Sequence, residues 1–317
     1  MKQVVTYGLV TLVVAVGFAR LAYYQVEAAN SATSEPTVIV AAPSVTDLSV
    51  TAAKPDAAIA KRAPRALKFH LYELASGDIV LAPKYRDTLP ATIHTTVNVK
   101  KRKTMFIDTL LPIILKTNDA ILQDRARLQT LKDKQISDAD RAWINKLAKK
   151  YRVDIKSKAS TSVIDRLLVR VDIIPPSLAM SQAVMESGWG TSRFARLGNA
   201  LFGQWVWGDG EGILPEDRKK GATHRIKSFK TIAASVADYM RNLNSHPAYK
   251  SLRARRAELR KHGLAVTGNM LAPGLTGYSE RGEKYVTEIL SIISFNKLGI
   301  TDVARLARSG ELEGVSK

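Results

Sequence analysis

Apolar positions between residues 103 and 298 follow the spacing of helices. Phe106, Leu110, Leu111, Ile114 and Leu115 recur at three- and four-residue steps, which places them on one face of a helix. The same spacing indicates helices over residues 142–151, 232–243 and 283–298. The pattern predicts a mainly α fold.

Helix starts are marked by side chains that satisfy the first turn. Ser137 precedes one helix and Ser160 or Ser162 precedes another, because a serine oxygen accepts from the backbone N–H groups that the first turn leaves unbonded. Pro175 and Pro176 mark a further start, since proline is tolerated in a first turn.

Two stretches break the helical pattern. Residues 67–89 contain short strand-like pieces interrupted by glycine, and residues 202–229 are rich in glycine and aromatics with no helical stripe. The second stretch predicts a small irregular or β-hairpin lobe beside a helical domain. A cleft between helical domain and lobe is the expected place for a ligand.

The N-terminus carries an export pattern. Lys2 precedes an unbroken apolar run over residues 4–19, and Val26 and Ala28 supply small residues at alternate positions. The pattern favours a cleaved signal peptide, with an uncleaved membrane anchor as the alternative. Either case predicts export to the periplasm or cell envelope, with an inner-membrane tether if the segment is retained. Residues 29–65, rich in Ala, Ser, Thr and Pro, predict a flexible linker.

Charge and residue usage narrow the partners. The net charge of +19 indicates an anionic partner, and the export pattern argues against nucleic acid. The basic runs at residues 100–103 and 253–261 are interpreted as solvated helix faces that also attract anionic wall polymers. The chain has no cysteine, and His224 and His246 share no metal-ligand spacing, so we expect neither metal nor cofactor.

The segment 181–192 carries the chemistry. A largely apolar helix ends at Glu186 and then breaks at Gly188 and Gly190, which flank Trp189. The helix C-terminus and the apolar neighbours are expected to raise the pKa of this carboxyl, as a general acid requires. The alternative is a glutamate that caps the helix or pairs with Arg193, and the residues alone leave both interpretations open.

Several motifs in the same order resemble glycoside hydrolase family 73, and more closely its Bax-like bacterial members, relatives of the flagellar-rod peptidoglycan hydrolase. They are residues 182–194, 199–203 and 277–286, and the resemblance covers roughly residues 67–299. It implies a lysozyme-like helical fold and an endo-β-N-acetylglucosaminidase. The implied substrate is the glycan strand of peptidoglycan, cut at the β-1,4 bond between N-acetylglucosamine and N-acetylmuramic acid.

The resemblance also implies roles for individual residues. Glu186 matches the general acid, and Tyr278 and Tyr285 match functionally important tyrosines. For Tyr285 the alternative is core packing, because it lies on an apolar stripe. The substrate-binding candidates, for whose aromatic members core packing is again the alternative, are Trp189, Asn199, Phe202, Gly203, Trp205 and Trp207.

The second catalytic group is left open. Four carboxylates lie in the irregular lobe, but an acidic, solvated loop is the stronger interpretation for each of them: Asp209, Glu211, Glu216 and Asp217. Bax-like relatives tend to have cysteines near positions 206 and 211, where this chain has Val206 and Glu211. Such a variable position is a poor choice for an essential base, and assistance from the substrate's N-acetyl group would replace one.

The predicted organisation has five parts. They are a signal peptide or signal anchor (1–28), a linker (29–65), an N-terminal extension whose helix packs on the catalytic domain (66–135), a glucosaminidase catalytic domain (136–300) and a C-terminal tail (301–317). Two alternative functions accompany the hydrolase hypothesis: a lytic transglycosylase that uses the same Glu186, and a non-enzymatic cell-wall-binding protein.

Overall fold

The computed structural model describes residues 71–73, 77–156, 162–206, 212–215 and 225–312. The predicted signal segment and linker lie outside these ranges. The helices are α1 (Val99–Leu131), α2 (Asp138–Lys150), α3 (Val163–Arg170), α4 (Pro176–Ser187), α5 (Arg193–Gly198), α6 (Ile232–Ser245), α7 (Lys250–Lys261), α8 (Gly268–Leu271) and α9 (Glu283–Phe295). Short 3-10 turns cover Pro247–Tyr249, Ala272–Leu275 and Leu298–Asp302. Across the described ranges, no helix combines the length and the apolar character that crossing a membrane requires.

Side-chain caps set several of the helix starts. The oxygens of Ser137 and Ser162 accept from the backbone N–H groups of Asp140 and Asp165, so α2 and α3 begin directly after these serines. The structure therefore selects Ser162 as the cap of α3. Helix α9 ends at Phe295, three residues earlier than predicted, and Lys297 just beyond it has a left-handed φ of 52°.

The core forms where α1, α4, α6 and α9 meet. Helix α1 packs against α4 and α6, and α4 packs against α9. Phe106, Ala183, Val236 and Ile289, one from each helix, have no exposed surface. Helix α4 is buried almost all round from Pro176 to Val184, as expected of a central helix. The predicted mainly α class is confirmed, and its central element is the helix that ends beside Glu186.

Two small sheets flank the helices. The first joins β1 (Leu71–Glu73) and β2 (Ile79–Leu81) antiparallel, with β6 (Ala304–Leu306) parallel to β2. The second has the order β3 (Trp205–Val206), β5 (Arg225–Lys227) and β4 (Gly212–Ile213), all antiparallel. The second sheet is the predicted lobe, built around three very short strands. The first incorporates β6 from the segment predicted as a C-terminal tail.

The interpretation of the basic runs as solvated faces is wrong for three of their residues. Arg253 and Arg256 are 4% and 1% exposed, and Lys103 is 8% exposed. The Arg256 guanidinium donates to the backbone carbonyls of Val169 and Ile173, at 3.1 and 2.7 Å. A guanidinium has five N–H donors, so it can satisfy carbonyls both in the last turn of α3 and just beyond the end of the helix.

Candidate active site

Glu186 lies in the last turn of α4, immediately before an abrupt reversal of the chain. Gly188, Trp189 and Gly190 all have left-handed backbones, with φ of 58°, 58° and 79°. A Cβ on Gly190 would come within 2.7 Å of the Leu89 side chain, so this position also needs glycine for packing. The reversal ends the helix and leaves the Glu186 side chain partly exposed.

A chain of hydrogen bonds runs through the core to this carboxyl group. The Tyr239 hydroxyl donates to Gln182 Oε1 at 2.6 Å, and Gln182 Nε2 donates to the Tyr285 hydroxyl at 3.0 Å. The Tyr285 hydroxyl in turn donates to Glu186 Oε1 at 3.2 Å. The chain links α4, α6 and α9, so the three central helices together fix the position of the carboxyl.

The two tyrosines predicted from the resemblance lie together beside Glu186. The rings of Tyr278 and Tyr285 stack with centroids 5.3 Å apart. Burial, with the charge of Glu186 contributing, raises the pKa of both hydroxyls well above the ordinary value. Both tyrosines therefore stay neutral, and the Tyr278 hydroxyl donates to the carbonyl oxygen of Phe202 at 3.0 Å, which ties the start of the lobe to the segment before α9.

Gly203 lies directly against the second oxygen of the carboxyl. Its φ is +61°, and a Cβ at this position would be 3.2 Å from Glu186 Oε2. The missing side chain therefore leaves space beside Oε2. The next residue, Gln204, anchors the lobe: its Nε2 donates to Asp238 Oδ2 on α6 at 2.8 Å, and Lys227 Nζ contacts the same oxygen at 2.9 Å.

Three predicted substrate-binding residues are placed in the packed interior. Trp189 is 3% exposed and meets the Phe106 ring edge-on, at 5.8 Å between centroids. Phe202 is 2% exposed and stacks on the Tyr239 ring at 3.8 Å. The Asn199 side chain donates to the backbone carbonyl of Phe229 at 3.0 Å and joins the end of α5 to the lobe. These three residues therefore pack around the candidate site and hold its elements together.

Of the predicted aromatic platforms that the structure describes, Trp205 keeps exposed surface; it lies on β3 opposite Ile226. Arg193, the predicted alternative partner of Glu186, donates to the backbone carbonyl of Leu214 at 3.1 Å.

The other predicted platform and the four candidate carboxylates lie outside the described residues: Trp207, Asp209, Glu211, Glu216 and Asp217. In the described part of the chain, no group of three or more His, Asp or Glu residues is arranged to hold a metal ion.

Gln182 and Tyr239 join the candidate site through these hydrogen bonds, and neither was among the site residues predicted from the sequence. Gln182 precedes Glu186 by one helical turn, so the two side chains share a face of α4. An amide inside an otherwise apolar stretch of helix was the available signal, because a buried amide requires partners. Tyr239 gave no comparable signal, since its position on the apolar stripe of α6 is equally typical of packing.

The chain is similar in sequence to known proteins. Residues 163–298 match the family model described as mannosyl-glycoprotein endo-beta-N-acetylglucosaminidase. The chain is 36% identical to protein bax of Escherichia coli (strain K12) over 200 residues, which cover 62% of this chain and 70% of the relative.

Two solved structures are also similar. One is a C-terminally truncated glycoside hydrolase domain of FlgJ from Salmonella typhimurium, 20% identical, covering 39% of this chain and 85% of that one with a TM-score of 0.29. The other is the catalytic domain of the autolysin Auto from Listeria monocytogenes, 18% identical, covering 56% and 97% with a TM-score of 0.33. The family match and the identity to protein bax confirm the resemblance seen in the motifs, and the chain is a glycoside hydrolase that belongs to the glucosaminidase family.

Proposed function

We propose that this protein hydrolyses the β-1,4 bond between N-acetylglucosamine and N-acetylmuramic acid in peptidoglycan, with Glu186 as the general acid. The observation that carries the proposal is the setting of Glu186. Its carboxyl is partly exposed at the end of a buried helix, accepts a hydrogen bond from Tyr285 on Oε1, and has Gly203 beside Oε2. Family membership supplies the class of reaction.

The acid step follows from this arrangement. Protonated Glu186 donates its hydrogen to the glycosidic oxygen while the bond to the departing sugar breaks, and a positioned acid contributes about 10²- to 10⁴-fold to the rate. Tyr285 holds the carboxyl in place as a neutral donor, because burial and the charge of Glu186 raise its pKa.

The second step needs a group that completes hydrolysis at the sugar carbon. A carboxylate about 6.5–9.5 Å from the acid would activate water with inversion, and one about 5 Å away would act with retention. The substrate's own N-acetyl oxygen is the third route. The lobe carboxylates Asp209, Glu211, Glu216 and Asp217 are the residues to substitute, and full activity in all four variants would favour the N-acetyl route.

Substrate contacts are proposed at the lobe side of the site. Trp205 has exposed ring surface and lies two residues from Gly203, so it is placed to pack against the apolar face of a sugar. We assign Trp207 the same role from its position in the sequence. Trp189, Asn199 and Phe202 then support the site by holding α4 and the lobe in place.

The proposal includes export. Peptidoglycan lies outside the cytoplasm, and the N-terminal pattern predicts a signal peptide or a retained anchor followed by a linker. The net charge of +19 suits a wall whose peptide stems carry carboxylates.

The test is digestion of purified peptidoglycan, with the released fragments identified by mass spectrometry. Reducing-end N-acetylglucosamine supports the proposal, anhydro-muramic ends identify a lytic transglycosylase, and no release identifies a wall-binding protein. Glu186→Gln is expected to lose at least about 10²-fold in rate. Glu283→Gln, which removes an exposed carboxylate from the first turn of α9, is the matched control and is expected to retain activity.

A further inference from the structure

The hydrogen-bond chain behind Glu186 has a direction. In all three bonds the donor is the residue farther from the carboxyl: Tyr239 donates to Gln182, Gln182 to Tyr285, and Tyr285 to Glu186. The side chains behind the carboxyl are enclosed, with exposures of 1% for Tyr239, 0% for Gln182 and 2% for Tyr285. Water therefore does not compete for these bonds, and a buried polar network of this kind works as a unit.

The direction is set at Gln182. A carboxamide has one accepting end and one donating end, whereas a tyrosine hydroxyl can both accept and donate. Because Tyr239 donates to Oε1, the amide presents Nε2 to Tyr285, whose oxygen accepts. The Tyr285 hydrogen is then directed to Glu186. If the amide turned over, Tyr285 would donate to Gln182 instead, and Glu186 would lose its donor.

We propose that Tyr239 and Gln182 are positioning residues that make Tyr285 donate to Glu186 Oε1 and thereby hold the carboxyl of the acid in place. The inference rests on the proposed function, since it names residues that act on the acid through Tyr285. A hydrogen bond donated to a carboxylate stabilises its charged form, so the direction of this bond influences the pH range over which Glu186 keeps its proton.

Other tyrosines also lie near Glu186. Tyr249 and Tyr278 both feel the charge of Glu186, and burial, with that charge, raises the pKa of Tyr249 to about 12 and that of Tyr278 well above its ordinary value. Both hydroxyls are thus neutral near pH 7, and that of Tyr278 donates to the carbonyl of Phe202. Among the described residues, the Gln182 amide is hydrogen-bonded to Tyr239 and Tyr285, so neither Tyr249 nor Tyr278 sets its direction.

Tyr239→Phe is a narrow test because the ring is held independently of its hydroxyl. The ring stacks on Phe202 at 3.8 Å with the two planes 8° apart, and phenylalanine keeps that contact. Loss of the hydroxyl removes the donor to Gln182 Oε1, so the amide gains by turning this end to Tyr285. Tyr249→Phe is the matched control: it deletes a hydroxyl that is also buried near Glu186 and is outside the chain.

The measurement is the pH profile of kcat/KM for release of reducing-end fragments from peptidoglycan by the full-length protein. A bond donated to the carboxylate favours its charged form, so losing it preserves the acid form to higher pH. The basic limb of the profile is the fall of kcat/KM at high pH, where Glu186 loses its proton. This limb is therefore expected to move up by about one pH unit in Tyr239→Phe and in Tyr285→Phe. Tyr249→Phe is expected to keep the wild-type limb.

A double-variant cycle separates positioning from general damage to the fold. If Tyr239 acts through Tyr285, then Tyr239→Phe moves the limb in the wild-type background and leaves it unmoved in the Tyr285→Phe background. An equal shift in both backgrounds, or no shift in either, overturns the inference. A wild-type protein that releases no reducing-end fragments overturns the proposed function instead.

A second variant covers the case in which Tyr239→Phe does not fold. Gln182→Glu places a carboxyl at the same buried position, and in its charged form this side chain only accepts, so both tyrosines must then donate to it. The upward movement of the limb is expected here too, and it is expected to be smaller in the Tyr285→Phe background, where only the added charge acts. Equal movement in the two backgrounds would contradict the proposed direction of the chain.

Discussion

The residues around Glu186 combine a strained backbone with close packing. Trp189 has a left-handed φ of 58°, which costs a residue other than glycine roughly 1–2 kcal/mol. The indole is 3% exposed, and the ammonium of Lys103 lies 5.0 Å from its ring centroid. Burial of this side chain offsets the strain. Trp189 therefore sustains the reversal that presents Glu186, although the sequence predicted a sugar platform.

Gly203→Ala is expected to reduce activity without loss of the fold. The new methyl group would lie 3.2 Å from Glu186 Oε2 and displace either the carboxyl or the substrate oxygen it serves. We expect kcat/KM to fall on the order of 10- to 100-fold, because small misplacements of reacting groups carry penalties of this size. The measurement is fragment release, with urea unfolding in parallel.

Gly263→Ala is the control for backbone strain. Gly263 follows α7 with a φ of +65°, close to the +61° of Gly203, and a Cβ there meets nothing within 4 Å. Both variants are expected to lose about 1–2 kcal/mol of stability from the left-handed φ. A similar fall in activity for both would show that strain, and not crowding of the carboxyl, is responsible.

At the residue scale, the sequence could identify Glu186, Tyr278 and Tyr285 as neighbours only through the ordered motifs. The structure brings them together, whereas no spacing relates position 186 to position 285 without knowing how α4 and α9 pack. Gln182 and Tyr239 show the same limit more sharply. Their bond joins residues 57 positions apart, and an apolar stripe does not reveal which of its tyrosines donates into a neighbouring helix.

At the scale of elements, helices were predictable where a periodic stripe coincided with a cap, as for α2 and α3. The strands were less so. β3 and β4 contain two residues each, which is too short for an alternating pattern to develop. The burial of Arg253 and Arg256 on α7 was also missed, because a run of basic residues is equally typical of a solvated helix face and of guanidinium groups that donate to backbone carbonyls.

Asp172 lies among Arg125, Arg256 and Arg260, between the end of α3 and α7. This cluster predicts that the stability of the fold depends on pH. Asp172 is 2% exposed; burial alone would raise its pKa, but the Arg260 hydrogen bond and the charges of Arg256 and Arg125 lower it below the ordinary 3.8. A depressed pKa contributes stability that is present above 3.8 and lost as the pH falls through the folded value. Asp172→Asn is therefore expected to cost about 3 kcal/mol near pH 7.

Urea unfolding at a series of pH values tests whether the stabilising effect of Asp172 is lost in acid. The difference between wild type and Asp172→Asn is expected to shrink below about pH 4, as the wild-type carboxylate takes up its proton. Asp138→Asn is the control, since the Asp138 side chain is fully exposed at the start of α2, and it is expected to change stability by less than about 0.5 kcal/mol. A difference that stays constant with pH would show that the charge of Asp172 is not what stabilises the cluster.

At the scale of the whole molecule, part of the positive charge is gathered at one place on the surface. A cavity of about 490 Å³ is lined by Lys146, Lys149, Lys150, Arg152 and Arg241. Two of these cations have carboxylate partners, Lys150 with Asp124 and Arg241 with Asp238. The cavity lies on the outer side of α6, since Arg241 is exposed while Tyr239, two residues earlier, points into the core. These cations can therefore attract an anionic wall at a place separate from Glu186.

Salt is expected to weaken binding to the wall through this attraction. The screening length falls from about 10 Å at 0.1 M salt to about 3 Å at 1 M, so exposed cations lose most of their pull on distant carboxylates. In sedimentation of the protein with isolated peptidoglycan, Lys149→Gln combined with Arg152→Gln is expected to bind about threefold more weakly at low salt, as two exposed pairs would allow. The difference should vanish near 1 M salt, and peptidoglycan with chemically amidated carboxylates should bind both proteins equally.

Lys84→Gln combined with Lys284→Gln is the control, because it removes the same charge elsewhere on the surface. If it weakens binding equally, the attraction comes from net charge and not from the cavity.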